Sequence, residues 1–447
     1  MATTTPTATT SRDAAQAALL AAEARFTANN PLSKAQHDLA VGALPGGNTR
    51  TLLYTSPFPL CMKRGQDAYV WDLDGHKYLD FVGELTAGLY GHSHPVLTST
   101  ILATVSETGL SLGATTPHEH AHAALLCARF RLDRVRMANS GTEANLHALA
   151  AARHVTRRRR VVVFEGGYHG AVLSFAGGRA AENTVDRDEF VVVPRYGNLE
   201  LAREVILGAG EVAAVLVEAV QGAGGVIPGS VEFLKGVREL ARKVGAVFVL
   251  DEVMTSRLTP NGVGVEMGLD PDLVTLGKYL GGGLAFGAFG GKEEIMRVYD
   301  PRVEGGLAHS GTFNNNTLAM RVGHAGLKEV YTEEVCVAFN AKGDSFRDRL
   351  RDVAKGTRLT LTGRGSLIGL HFTEDGLQNI TCGADLRGRD RPDLRDLFWF
   401  EMLEAGFWTT RRGLIAMILG TPHEELDCFV EAVKAFVERN REIMVVE

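Results

Sequence analysis

Residues 246–283 read AVFVLDEVMTSRLTPNGVGVEMGLDPDLVTLGKYLGGG. Two runs in this stretch, 246–250 and 272–276, are apolar without polar alternation, the mark of strands covered on both faces. The first run ends in Asp251-Glu252-Val253, the second in Gly277-Lys278. The spacing from the aspartate to the lysine is 278 − 251 = 27 residues, room for one crossover to the next strand. In a wound parallel sheet, ligands collect at the carboxyl ends of the strands. An acid and an amine at two such ends are therefore candidates for one site.

The same alternation extends outward. Strands are expected at 134–138, 160–164, 190–193 and 213–217, and helices at 142–155 and 232–244. In the second helix Phe233, Val237, Leu240 and Val244 share one face. Alternating β and α segments predict an α/β fold with a mostly parallel wound sheet. Residues 13–29 read as an Ala-rich helix, and Asp74-Gly75 marks a hairpin turn. After residue 335 the pattern shifts to a helix at 336–354, a strand pair near 358–373 and helices at 391–405 and 423–443. The expected division is an N-terminal segment 1–75 packing with the smaller domain, a large domain 76–335, and a smaller α+β domain 336–447.

Hydrophobic residues make up 45% and charged residues 22%, with a net charge of −6, which points away from nucleic acid and anionic membranes as main partners. No apolar run approaches the ~18 residues of a membrane span. The five scattered cysteines form no CxxC pair, so neither a metal site nor a disulfide framework is expected. The Thr-rich start, MATTTPTATTS, lacks the apolar core of a secretory signal and reads as a disordered tail. Free thiols and the absence of targeting signals suggest the cytoplasm.

Four polar clusters fall at strand ends. Ser140-Gly141-Thr142 opens a helix, where exposed amides and hydroxyls suit a phosphate, although an ordinary helix cap reads the same way. Gly166-Gly167-Tyr168-His169-Gly170 is a turn in which Tyr168 could face a planar ligand or simply fill the core. Asp251, after a buried strand, needs a partner: a protonated pyridine nitrogen, a metal, or an arginine such as Arg257. Lys278 beside a glycine run would become a nucleophilic amine if buried, or would be an exposed loop lysine. Together they match the needs of pyridoxal 5′-phosphate (PLP): an anion cradle, a stacking ring, an acid for the ring nitrogen and an amine for the aldehyde.

The motifs NSGTEAN, EGGYHG, LVEAVQG, DEVMTSR, TLGKYLGGGLAFGAFGG and HSGTFNNN occur in the order seen in class III aminotransferases of PLP fold type I. Over roughly residues 35–425 the chain resembles that family, in the branch of β-amino-acid (β-phenylalanine) aminotransferases and glutamate-1-semialdehyde aminomutases. The resemblance implies a PLP enzyme in which Lys278 forms the Schiff base and Asp251 meets the pyridine nitrogen. It further implies that Val253 packs behind the ring, Tyr168 stacks in front, and Ser140, Gly141 and Thr142 hold the phosphate. Glu218 matches a buried glutamate near Asp251. The same likeness implies a homodimer in which Thr312 reaches the neighbouring subunit's phosphate. PGGNTRTLLYTSPFPL and FWTTRRGLIAM resemble stretches that bring carboxylate-binding arginines, here Arg50 and Arg412, with Arg411 an additional arginine beside the second. The implied reaction moves an amino group from a β-amino acid or related amine to 2-oxoglutarate or pyruvate. The alternatives are ω-amine transamination and intramolecular transfer as in the aminomutase, and Glu84, where that enzyme carries a small residue, argues against the latter.

Overall fold

The computed structural model describes residues 11–446; the Thr-rich stretch 1–10 lies outside the described residues. The centre is a seven-stranded sheet. Across it the strands run Arg134–Ala138, Gly287–Gly291, Leu273–Gly277, Val247–Asp251, Val212–Glu218, Arg160–Phe164 and Phe190–Val193. All are parallel except Gly287–Gly291, which is antiparallel to both neighbours.

Side-chain alternation explains why these strands carry no polar face. Val161, Val163, Ala214, Leu216, Val247 and Val249 point into a cluster with Ala144, Ala148 and Ala152 of helix Gly141–Thr156. Val162, Phe164, Val215, Val217, Phe248 and Leu250 point the other way, onto Phe233, Leu234, Val237 and Leu240 of helix Val231–Lys243. Both faces are thus covered. Each such valine or leucine contributes about 1.5–3 kcal/mol of burial.

The six expected strands form within a residue of their sequence positions. The seventh, Gly-Ala-Phe-Gly-Gly at 287–291, was not anticipated, because glycine is depleted in strands. Its glycines allow backbone contact that no side chain would permit. A Cβ on Gly287 would stand 2.0 Å from the Ser140 carbonyl oxygen, and one on Gly291 2.2 Å from that of Asp272. The glycine strand therefore presses directly against the turn at Ser140.

The two ends of the chain pack together. The hairpin strands Tyr69–Asp72 and Lys77–Asp80 flank the predicted Asp74-Gly75 turn, and Phe407–Trp408 adds a parallel strand beside Lys77–Asp80. Helix Ser11–Asn29 buries Ala15, Leu19, Ala22 and Phe26, and Phe26 packs on Phe58, Trp399 and Phe400. Helix Glu333–Ala354 covers the antiparallel pair Leu359–Arg364 and Leu367–Phe372. Among the described residues no helix is long and apolar enough to cross a membrane, no metal-binding cluster occurs, and the five cysteines are free thiols.

Candidate active site

Asp251 is the last residue of its strand. It lies in register with Glu218 on one side and Thr275 on the other, three residues before Lys278. The strand ends thus bring the acid and the amine to one crevice. Asp251 is buried and held on three sides: Oδ2 accepts from Asn145 Nδ2 (2.8 Å) and pairs with His169 Nδ1 (2.8 Å), while Oδ1 accepts from the Val253 amide (3.0 Å). Asn145 is fixed in turn by Thr275 Oγ1 (2.9 Å) and donates also to the His169 carbonyl (3.0 Å).

Arg257, offered by the sequence as a partner of Asp251, is elsewhere. It is fully buried and donates to the carbonyls of Thr86 and Met417. Glu252 also turns away from the crevice, accepting from the amides of Val263 and Gly264 and from Thr255 Oγ1.

The Lys278 amine donates to the Leu85 carbonyl at 3.0 Å, and the residue adopts a left-handed backbone with φ 56°. Burial pushes the amine below the ordinary lysine range. Asp251 opposes that shift, Arg412 and Arg257 reinforce it, and Glu84 opposes it, so all four charges bear on this amine. A neutral amine is the nucleophilic form.

Ser140 caps helix Gly141–Thr156, its Oγ accepting from the Glu143 amide at 3.2 Å. Thr142 Oγ1 accepts from the Ala171 amide at 3.3 Å, tying the helix start to the turn after Tyr168. The cap reading is met here, and it leaves the Gly141 and Thr142 amides of the first turn without an intrahelical acceptor. Val253 stands between this turn and the lysine. A Cβ on Gly141 would come within 2.7 Å of its Cγ1, and one on Gly277 within 3.3 Å. Similarly, a Cβ on Gly170 would stand 2.3 Å from Thr142 Oγ1. Glycines therefore let three segments close on one another here. Tyr168 is 40% exposed, its amide donates to Glu218 Oε2 at 3.1 Å, and its phenol lies near enough to Arg412 to act on that guanidinium.

Glu218 accepts additionally from the Gly222 amide at 3.0 Å. Its burial raises its pKa to about 7, with Asp251 adding to the rise and His169 and the two amides opposing it.

The structure separates the two adjacent arginines. Arg411 is committed: it pairs with Asp396 at 2.8 Å, donates to the Ser56 carbonyl and lies over the rings of Trp399 and Phe400. Arg412 has no carboxylate partner among the described residues, and its charge acts on Lys278 and on Tyr168. Arg412 lines two cavities of about 340 Å³ each. One is walled by Tyr54, Val82, Leu85, Trp399 and Trp408, the other by Gly222–Val226, His371 and Leu386. Arg50 is exposed and paired with Glu84, so it joins the crevice through that acid. Thr312 is exposed, in a segment tethered by the Asn139–Asn314 hydrogen bond (3.0 Å), and no contact brings it to Lys278.

Asn145 and the Leu85 carbonyl are the participants that motif reading passed over, while His169 and Glu84 stood in the motifs without the partners the fold gives them. Asn145 could have been found as the one polar residue on the otherwise apolar face of Ala144, Ala148, Leu149 and Ala152. The Leu85 carbonyl leaves no trace in side-chain identity.

Residues present fit PLP: an amine, a buried carboxylate with lone pairs to spare, glycine-lined helix amides and a ring at the crevice. The sequence profile of class III aminotransferases matches residues 54–423. A β-phenylalanine transaminase of Variovorax paradoxus is 44% identical over 424 residues, covering 94% of this chain and 96% of that protein. A glutamate-1-semialdehyde 2,1-aminomutase of Geobacillus thermodenitrificans is 34% identical, covering 91% and 97%. The crystal structure of a β-phenylalanine aminotransferase from V. paradoxus superimposes with a TM-score of 0.93 at 42% identity, over 97% of this chain and 100% of that one.

Proposed function

Since the chain belongs to the class III aminotransferases, we propose that it transfers an amino group from a β-amino acid or related amine to an oxo acid, with PLP carried on Lys278. The observation that carries this reading is the meeting of Lys278, Asp251 and the unpaired Arg412 at one crevice. When bound, PLP supplies an electron sink for the carbon that bears the amine.

The residues divide the remaining work. Asp251, held by Asn145 and His169, keeps a proton on the ring nitrogen. Ser140, Gly141 and Thr142 present helix amides and hydroxyls to the phosphate. Val253 and Tyr168 would hold the cofactor ring between them. The Lys278 amine, with its pKa lowered by burial, takes a proton from the substrate carbon and returns it elsewhere as a general base and then acid. Arg412 offers a guanidinium fork to the substrate carboxylate, and Arg50 a second once Glu84 yields it. Glu218 supports Asp251 from the next strand.

We assign the chain a homodimer, with the exposed Thr312 reaching the partner's phosphate site. The exposed apolar side chains Leu102, Leu112 and Phe313 support an interface on this side. Its five free thiols fit the cytoplasm.

The test is a panel of α-, β- and ω-amines, in both hands, mixed with purified PLP-loaded protein and either pyruvate or 2-oxoglutarate. A β-amino acid should convert the visible absorption of the bound cofactor to that of its amine form, and an oxo acid should restore it. Conversion of no amine donor would end this reading; turnover of glutamate-1-semialdehyde without added oxo acid would replace it with intramolecular transfer.

A further inference from the structure

Residues Gly83, Glu84, Leu85 and Thr86 have φ of 49°, 48°, 51° and 81°. Four consecutive left-handed residues, three of them not glycine, are strained, since a non-glycine residue persists in this region only when its surroundings hold it. This turn delivers the Leu85 carbonyl to the Lys278 amine and Glu84 to Arg50.

What holds its far end is Arg257. Nη1 donates to the Thr86 carbonyl at 3.1 Å and Nη2 to the Met417 carbonyl at 2.5 Å, which ties the turn to the segment after strand Leu414–Ala416. Among the described residues the buried Thr86 hydroxyl has no hydrogen-bond partner, which leaves the carbonyl to tie this residue to Arg257. Arg257 is itself fixed from behind: its own carbonyl accepts from Tyr331 Oη and Asn340 Nδ2. A further link reaches the lysine, because Tyr279 Oη donates to the Ser256 carbonyl at 3.1 Å. Arg257 has no carboxylate partner among the described residues and lies 5.8 Å over the Phe339 ring. A buried cation retained without an ion pair is costly, and two carbonyls in fixed positions account for the choice of a planar fork over a lysine.

We propose that Arg257 is a positioning residue for Lys278: by clamping the Thr86 and Met417 carbonyls it locks the Gly83–Thr86 turn so that the Leu85 carbonyl receives the lysine amine. The proposal rests on the reading of Lys278 as the cofactor-bearing lysine. Whenever Lys278 is free of the cofactor, Leu85 keeps its amine over the crevice, ready to carry a proton. The cationic charge of Arg257 also favours the neutral amine.

The experiment compares PLP-loaded wild type with Arg257→Met and Arg257→Lys, by hydrogen exchange of peptides spanning 82–88, by kcat and KM for the best donor, and by pH titration of the visible cofactor band. In Arg257→Met, exchange at 82–88 should rise and kcat should fall about 10²-fold, the effect of misplacing a reacting group by about 1 Å. KM should stay within a fewfold and the band should titrate at a higher pH. Arg257→Lys should be intermediate, and it carries the same test if the methionine variant does not fold. Unchanged exchange at 82–88, or kcat and KM both unchanged, would overturn the proposal even if the variants melt earlier. A wild-type protein without a Lys278-dependent visible band would overturn the functional reading itself, and this one with it.

Discussion

Arg411 and Arg412 are chemically identical neighbours, and the fold assigns them opposite fates. Arg411 is spent on Asp396, Ser56 and two aromatic rings, whereas Arg412 faces the lysine crevice unpaired. A charge-assisted hydrogen bond contributes about 1.5–3 kcal/mol, so Arg412→Ala should raise KM for carboxylate-bearing donors roughly 10- to 100-fold. Amines without a carboxylate should be unaffected, and Arg411→Ala should lower thermal stability while leaving KM unchanged; steady-state kinetics on paired donors checks both. Glu218 supplies a pH prediction. Its carboxyl holds a proton up to about pH 7 in the folded protein against an ordinary value of 4.5. Between these values the folded state binds the extra proton, so this group's contribution to stability falls as pH rises through that window. Glu218→Gln removes the slope. Melting temperatures of cofactor-free protein at pH 5 and pH 8 should show wild type losing ground to the variant as pH rises.

At the level of elements, the strands that sequence pattern found are those whose apolar residues pack on both faces, such as Val247–Asp251 with Phe248 and Leu250 on one side and Val249 on the other. The strand it missed, Gly287–Gly291, is set at its glycines by the backbone they touch, with only Ala288 and Phe289 offering side chains to the core. Gly287→Ala should therefore cost about 3 kcal/mol by overpacking, because the nearest atom is backbone and cannot rotate away. Displacing Ser140 should also loosen PLP, measured as faster loss of the cofactor on dialysis. The run Arg157–Arg160 has an equally local explanation. Arg158 donates to the Val212, Val244 and Gly245 carbonyls, Arg159 pairs with Glu189 and Arg160 donates to the Ala209 carbonyl, so this charge run closes chain ends beside the sheet.

For the molecule as a whole, the joining of the two chain ends is what completes the wall of the crevice. Helix Ser11–Asn29 lies on helix Pro392–Glu404, Arg25 pairs with Glu404, and Phe26 covers Trp399, which also lines the cavity beside Arg412. Removing residues 1–29 should uncover Phe58, Trp399 and Phe400. The expected results are a red-shifted tryptophan emission, a lower melting temperature and weakened binding of carboxylate donors, even though no residue proposed to contact PLP is deleted. An unchanged emission spectrum would show that this helix is dispensable for the wall.

Sequence alone determined the doubly covered parallel sheet and the positions of Ser140, Tyr168, Asp251 and Lys278 at its strand ends, because periodicity and strand-end position are local properties of the chain. Tertiary structure alone decided that Asn145 and His169, 106 and 82 residues from Asp251, hold its carboxylate, that Arg257 serves two carbonyls and not Asp251, and that Glu84 occupies Arg50. Those outcomes depend on which distant groups share a desolvated space, where each polar atom must find a partner. No spacing along the chain encodes that choice.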